Sequence, residues 1–315
     1  MSLSLPALVA DRYQLAELMA EGGYGVVYRG VDRTTGHPVA VKVLSQGATE
    51  DPDRVERMMR EQQAMVALAG AGVVGALDLC ALPNGQKCLV MEWLDGQDLE
   101  QHLSELEQTG QRIETARLLE IISAVSYTLG QAHQIGIVHR DIKPANIFLT
   151  RYSGSARVLD FGLARMKWSR TLTAVGMVMG SPSYIAPETW RGESSRVDYR
   201  ADLYALGAVV FRALSGQFPF GNLSLTEQMI ATTSAPRPSL LQWRPDLPPT
   251  IDTWVAKALA IDPKKRFKSA EALSDALAAA LGSRSARRIA PNGLVDRLVQ
   301  ALKLKLGSLN SRRVE

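Results

Sequence analysis

The sequence predicts an α+β fold in two lobes, a small strand-rich front and a larger helical back. Two observations carry that expectation. β-Branched runs punctuated by glycine and by TTGHP fill the chain up to Gly96, and helical periodicity dominates after it. Runs of strands followed by runs of helices are the pattern of segregated α+β architecture. With 315 residues the chain is long enough for one large domain or two lobes.

Taken in order, YQLAELMA (13–20), GVVYRGVD (25–32) and HPVAVKVL (37–44) read as strands. DPDRVERMMREQQAMVAL (51–68) reads as a helix, with Asp and Pro at its start and good helix formers after. GVVGALDLCAL and KCLVMEWL read as two further strands around PNGQ. From 97 the spacing turns helical in DLEQHLSELE and ARLLEIISAVSYTLGQAH. A polar region at 139–192 separates these from ADLYALGAVVFRALSG, LTEQMIATT, TIDTWVAKALA and SAEALSDALAAALG, all at helical spacing. The organisation expected is a first lobe over 1–95, a second over 96–281 and a basic tail over 282–315.

Composition excludes several classes. Hydrophobic residues make up 46% and charged residues 22%, as in soluble globular chains. The longest apolar stretch, around 205–211, falls well short of the ~20 residues of a membrane helix. The opening MSLSLPALVADRYQ has no positive region followed by an apolar run, so no secretory signal is expected. Two cysteines, Cys80 and Cys88, make no disulfide framework, and no CxxC or histidine cluster suggests zinc. A cytoplasmic setting is expected. The tail carries eight Lys/Arg against two Asp/Glu, more than the whole chain's net +4. The basic character therefore belongs to the tail, and no nucleic-acid binding by the folded body is expected.

Four stretches carry chemistry. Glycines 22, 23 and 25 in EGGYGVVYRG would let a backbone turn approach a ligand closely, or simply turn a hairpin. In AVKV (40–43), Val39, Val41 and Val43 share one strand face and Ala40 and Lys42 the other. A small residue beside a lysine leaves room for a flat ligand next to a cation, and Glu61 could supply the anion an enclosed lysine needs. The third is HRDIKPAN (139–146), five polar or charged side chains set between apolar segments. Burying such groups unpaired is costly, so they satisfy one another or face a cleft. The fourth is VLDFGLA (158–164). Asp141, Asp160 and Asn146 offer hard oxygen ligands of the kind Mg²⁺ prefers. Each stretch alone has a plain structural reading; their order along the chain does not.

That order resembles the eukaryotic-like (Hanks-type) bacterial serine/threonine protein kinases, from about Tyr13 to Leu281. The resemblance implies a bilobal protein-kinase fold, an ATP and Mg²⁺ requirement and protein substrates with Ser or Thr. It places Ala20 (where the family has its first glycine), Gly22, Gly25 and Val27 in the glycine-rich loop. Lys42 would hold the α- and β-phosphates and pair with Glu61. Ala40 would flank adenine, Met91 be the gatekeeper, Glu92 and Leu94 offer hinge backbone, and Asp98 lie near the ribose. Asp141 matches the catalytic base, Lys143 the residue steadying the transferring phosphoryl, and Asn146 and Asp160 the metal ligands. IKPAN favours Ser/Thr over Tyr substrates. GSPSYIAPE (180–188) resembles the substrate-docking segment, with Ser181 in place of the commoner Thr. Glu188 is expected to pair with Arg266, and Asp202 to brace the catalytic loop. Thr171 and Thr173 are candidate phosphorylation sites that could meet Arg140. The alternatives are a nucleotide-binding, pseudokinase-like scaffold and a small-molecule kinase. All three residues that pseudokinases usually lack (Lys42, Asp141 and Asp160) are present, and the docking segment argues against a small-molecule acceptor. In the tail, Leu294, Leu298, Leu302 and Leu306 step by four, an amphipathic pattern suited to self-association, a partner or a membrane surface.

Overall fold

The computed structural model describes residues 7–22, 25–82, 84–161, 182–192 and 197–283. The expected tail helix and the Thr171/Thr173 site lie outside them. The chain divides into two compact units, Met1–Ala67 with Val74–Asp95 and Leu68–Val73 with Gly96–Glu315.

The first unit is built on a six-stranded antiparallel sheet. Its strands are β1 (Ala7–Val9), β2 (Tyr13–Gly22), β3 (Gly25–Asp32), β4 (Pro38–Leu44), β5 (Ala76–Ala81) and β6 (Lys87–Glu92), in the order β1-β2-β3-β4-β6-β5. Period-two alternation decides its faces. Val39, Val41 and Val43 are buried while Ala40 and Lys42 between them are only half-buried. One face closes on Tyr13, Leu15, Tyr28, Val41, Cys88 and Val90. Between β4 and β5 lie a short helix α1 (Gln46–Thr49) and the longer α2 (Pro52–Ala67), which buries Met58, Ala64 and Met65. Asp51 accepts a hydrogen bond from the Asp53 amide at 3.0 Å, satisfying one of the free donors at the start of α2.

Gly25 is fixed by close backbone approach. Its φ is +157°, and a Cβ there would sit 2.1 Å from the Val43 carbonyl oxygen of β4. Neither backbone can give way without breaking the β3–β4 ladder. Gly25→Ala is expected to cost ~1–3 kcal/mol, the range for an ill-fitting backbone conformation. Urea unfolding of the variant checks this, as a lowered midpoint.

The second unit carries a small antiparallel sheet of β7 (Gly96–Asp98), β8 (Ile147–Thr150) and β9 (Ala156–Val158), with α3 (Leu99–Gln108) and α4 (Thr115–Gln134) between β7 and β8. After them come α5 (Pro187–Trp190), α6 (Arg200–Ser215), α7 (Leu225–Ser234), α8 (Thr250–Ala258) and α9 (Ala270–Ala280). From Ala201 to Ser215 every residue of α6 is buried, so this helix is the unit's axis. Burial so complete obliges its charged residues to find partners. Asp202 accepts from the amides of His139 and Arg140, and Arg212 grips Glu100 and Glu107 of α3 and the Tyr184 hydroxyl. Ser224 and Glu227 form a reciprocal capping box at the start of α7.

The structure departs from the sequence expectation in a few places. GVVG (72–75) is not strand: β5 begins at Ala76, and Val73 makes an isolated parallel bridge to Val158. β1, α1 and the three-stranded sheet were not expected. Their segments are three or four residues long, too short to show a period.

Candidate active site

In the first unit, sheet register gathers the predicted residues on one face. Ala20 lies opposite Val27, Val27 opposite Lys42, and Lys42 opposite Leu89; Ala40, two residues before Lys42, lies opposite Met91. Directly opposed residues share a face. This face is therefore small or apolar around one ammonium, the other being the packed core. The Lys42 Nζ donates to both carboxylate oxygens of Glu61, at 2.8 and 3.1 Å, with both side chains largely enclosed. Helix α2 thus supplies the anion an enclosed lysine requires. Glu92 lies at the end of β6, and its side chain accepts from the Gly75 amide at 2.7 Å. Leu94 is half-buried in the non-strand segment beyond. Gly22 ends β2.

A hydrogen bond to a charged group is worth ~1.5–3 kcal/mol. Removing the carboxylate with Glu61→Ala is therefore expected to lower kcat/KM for ATP by about one to two orders of magnitude. Steady-state kinetics with varied ATP provides the check.

In the second unit Asp98 has a structural task that its predicted role near a ribose did not foresee. It N-caps α3, its Oδ1 accepting from the Gln101 amide at 2.8 Å. Immediately before β8, the HRDIKPAN segment forms a tight polar loop ending in a turn of 3-10 helix, Pro144–Asn146. The Lys143 ammonium stands 3.0 Å from Asp141 Oδ2. The Asn146 amide nitrogen donates to the Asp141 carbonyl at 2.7 Å and to Asp141 Oδ2 at 3.2 Å. His139, fully buried, uses both ring nitrogens: Nε2 lies 2.8 Å from the Leu159 carbonyl, and Nδ1 accepts from the Asp141 amide at 3.2 Å. One tautomer, protonated on Nε2, satisfies both bonds. Asp202 takes the His139 amide on Oδ2 at 2.9 Å and the Arg140 amide on Oδ1 at 2.7 Å, and His133 Nε2 lies 2.8 Å from the same Oδ2.

These bonds resolve why so many polar groups crowd one segment. Most of them satisfy one another, while the Asp141 and Lys143 side chains stay about one-fifth open. The Asp160 segment is tied to the same loop. The Leu159 amide donates to the Asn146 carbonyl at 2.9 Å while its own carbonyl meets His139. Arg140 and Asp160 both hold left-handed backbone, φ 64° and 45°. Such conformations cost ~1–3 kcal/mol each outside glycine and persist where surrounding bonds over-determine them.

The donor set suits a hard cation. Asn146 spends its amide nitrogen on Asp141, leaving its carbonyl oxygen as the acceptor, and Asp160 adds a carboxylate on the adjoining segment. One or two such ligands completed by phosphate oxygens and water is the usual Mg²⁺ arrangement. Among the described residues no cluster of three or more His, Cys, Asp or Glu could form an all-protein metal cage.

Glu188 and Arg266 meet as expected, at 2.6 and 2.7 Å, both side chains almost wholly buried. Tyr184, in the docking segment, donates no charge but anchors to Arg212; burial pushes its phenol above the ordinary range. Ser181 lies outside the described residues. His139, His133 and Arg212 were given no role from sequence. Arg212 had a visible signal, a lone cation inside the apolar run ALGAVVFRALSG. His133 had none.

One unit carries a strand lysine paired to a helix glutamate and the other an Asp-Lys-Asn loop, features of the protein kinases, and the chain belongs to the protein kinase family: the protein kinase domain matches residues 13–277. Members of that family use ATP and Mg²⁺ and act on proteins. Within it the chain is similar to bacterial serine/threonine kinases. It is 36% identical over 289 residues to the serine/threonine-protein kinase Pkn1 of Myxococcus xanthus, covering 90% of this chain and 40% of that one. It is 35% identical over 289 residues to PknA of Mycobacterium tuberculosis, covering 90% and 64%. The crystal structure of the M. tuberculosis PknI kinase domain matches with a TM-score of 0.70 at 29% identity, covering 89% of this chain and 100% of that one. The chain thus spans 40% and 64% of the length of these two curated relatives.

Proposed function

We propose that the chain is an ATP-dependent protein serine/threonine kinase, passing the γ-phosphoryl of ATP to Ser and Thr hydroxyls of proteins, its own among them. The observation that carries this reading is the Asp141–Lys143–Asn146 arrangement, held by His139, Asp202 and Leu159. Asp141 orients the acceptor hydroxyl and takes its proton. Lys143, 3.0 Å away, places a positive charge where charge spreads over the transferring group. Lys42, oriented by Glu61, holds the α- and β-phosphates. Glu92 and Leu94 offer adenine their backbone groups beside Met91, and Gly22 and Gly25 bound the turn over the phosphates. Asn146 and Asp160 would hold Mg²⁺, which when bound would neutralise phosphate charge.

Little covalent chemistry is left to the protein, so activity rests on positioning. The pseudokinase-like scaffold is not favoured, since Lys42, Asp141 and Asp160 are all retained. Incubation of the chain with labelled ATP, Mg²⁺ and a generic protein tests the reading. Label appearing on the acceptor supports it, and nucleotide binding without transfer overturns it.

Two finer readings join the proposal. Among the described residues the buried Nε of Arg140 meets no hydrogen-bond partner, which suits a phosphate on Thr171 or Thr173. Mass spectrometry of active protein decides this: full activity with both threonines unmodified refutes it. The basic tail (282–315) serves as a contact segment for a second copy, a partner or an anionic membrane, which liposome co-sedimentation separates. A cytoplasmic location accords with the two free thiols.

A further inference from the structure

Cys80 and Cys88 are the chain's two cysteines, and the active site uses neither. They lie directly opposite each other across the antiparallel pair β5–β6. Opposed residues in such a pair have Cα atoms ~4.5–5.5 Å apart, inside the ~4.4–6.8 Å range that disulfides span. Both side chains lie on the same face, Cys88 within the apolar cluster and Cys80 packed against it. Both thiols are free. Cys88 is fully buried; Cys80, on the edge strand, is partly open to solvent.

We propose that Cys80 and Cys88 form a redox-modifiable dithiol, which a hydroperoxide converts to an intrachain disulfide joining the edge strand β5 to β6.

The two sulfurs are unequal in the way the chemistry needs. The Cys88 thiol has two acceptors in reach, the Cys80 sulfur and the Gln86 carbonyl at 3.5 Å. Donation to Cys80 holds that thiol below its ordinary range, and the same bond together with burial pushes Cys88 up. Cys80, partly open to solvent, is therefore the sulfur that meets the peroxide first, and the fully buried Cys88 beside it the one that resolves. Cys80 sulfur attacks one peroxide oxygen; the O–O bond breaks, Cys80 becomes a sulfenic acid and the alkoxide leaves as an alcohol on taking a proton. Cys88 sulfur then attacks Cys80 sulfur, expelling hydroxide, which takes the Cys88 proton and departs as water. Two thiols are oxidised by two electrons and one hydroperoxide is reduced. The hairpin between the strands already fixes their register, so bond formation demands little rearrangement.

With two cysteines in the chain, the readout is unambiguous. The purified full-length chain, treated with hydrogen peroxide and then denatured in iodoacetamide, is expected to lose both alkylation sites, stay monomeric on a non-reducing gel and regain both sites after dithiothreitol. Cys88→Ser is expected to leave Cys80 trapped as a sulfenic acid, captured by dimedone. Two thiols still fully alkylated after peroxide treatment, disulfide-linked dimers alone, or dimedone capture on Cys88 in Cys80→Ser equal to that on Cys80 would each overturn the proposal.

Discussion

Asp141→Asn is expected to lower phosphoryl transfer by ~10²–10⁴-fold, the usual contribution of a positioned general base. The substitution is nearly isosteric, so the loop around it has little reason to rearrange. The Asp141 carbonyl keeps its bond from Asn146, and its amide keeps the His139 ring. What is lost is the charge that orients the acceptor and takes its proton, together with the ion pair to Lys143. Nucleotide affinity should change little, because Lys42 and Glu61 are untouched. Transfer rates and nucleotide titrations on the same preparation test both halves. Retention of wild-type turnover would remove Asp141 from the mechanism; loss of nucleotide binding would mean the substitution had disturbed the fold instead.

The second large effect falls far from the chemistry. Glu188→Ala is expected to destabilise the second unit by ~3–5 kcal/mol, the cost of leaving a buried cation without its partner. Arg266 has nowhere to go: its side chain is fully buried, and its remaining bonds are to the carbonyls of Ala260, Arg200 and Ile261. Those dipoles satisfy its hydrogens without neutralising its charge. Set against a total of ~5–15 kcal/mol for a typical protein, the loss should appear as poor soluble yield and a much lower urea midpoint. Replacing both partners with apolar residues of similar volume should do less damage than either single change, because no uncompensated charge is left behind. A double variant as unstable as Glu188→Ala would show that the pair contributes shape and not only charge.

Much of this was legible in the residues. Alternation along HPVAVKVL placed Lys42 and Ala40 on one face before any register was known, and β4 bears that out. Helices α2, α3, α4 and α6 through α9 announced themselves by period, because each is long enough to show one. The pairs Lys42–Glu61 and Glu188–Arg266 and the role of Asp202 came from the order of motifs; local pattern alone would not have joined residues 78 positions apart. What stayed hidden has a common cause. Arg212 meets partners more than a hundred residues away in α3, and nothing in LEQHLSELE says which glutamates turn inward. Asp98 looked like a ligand acid, yet its place at the head of α3 commits one oxygen to the helix. The left-handed backbone at Arg140 and Asp160 could not be read from residue type, since arginine does not favour it and aspartate adopts it only occasionally.

The stretch Leu68–Val73 follows α2 and precedes β5, yet it is bonded into the second unit. Thr128 of α4 donates to the Ala71 carbonyl at 2.7 Å, the Val158 amide to that of Gly72 at 2.9 Å, and Gly72 is packed so closely that a Cβ would meet the Thr128 hydroxyl at 2.4 Å. Neither unit can therefore be excised by one cut. A fragment ending at Asp95 would keep this stretch but strand its carbonyls in solvent, and the complementary fragment would display an empty seat on α4. Dissection of this chain calls for splicing out an internal hexapeptide as well as severing it, which makes autonomous production of either half a poor starting point for biochemistry.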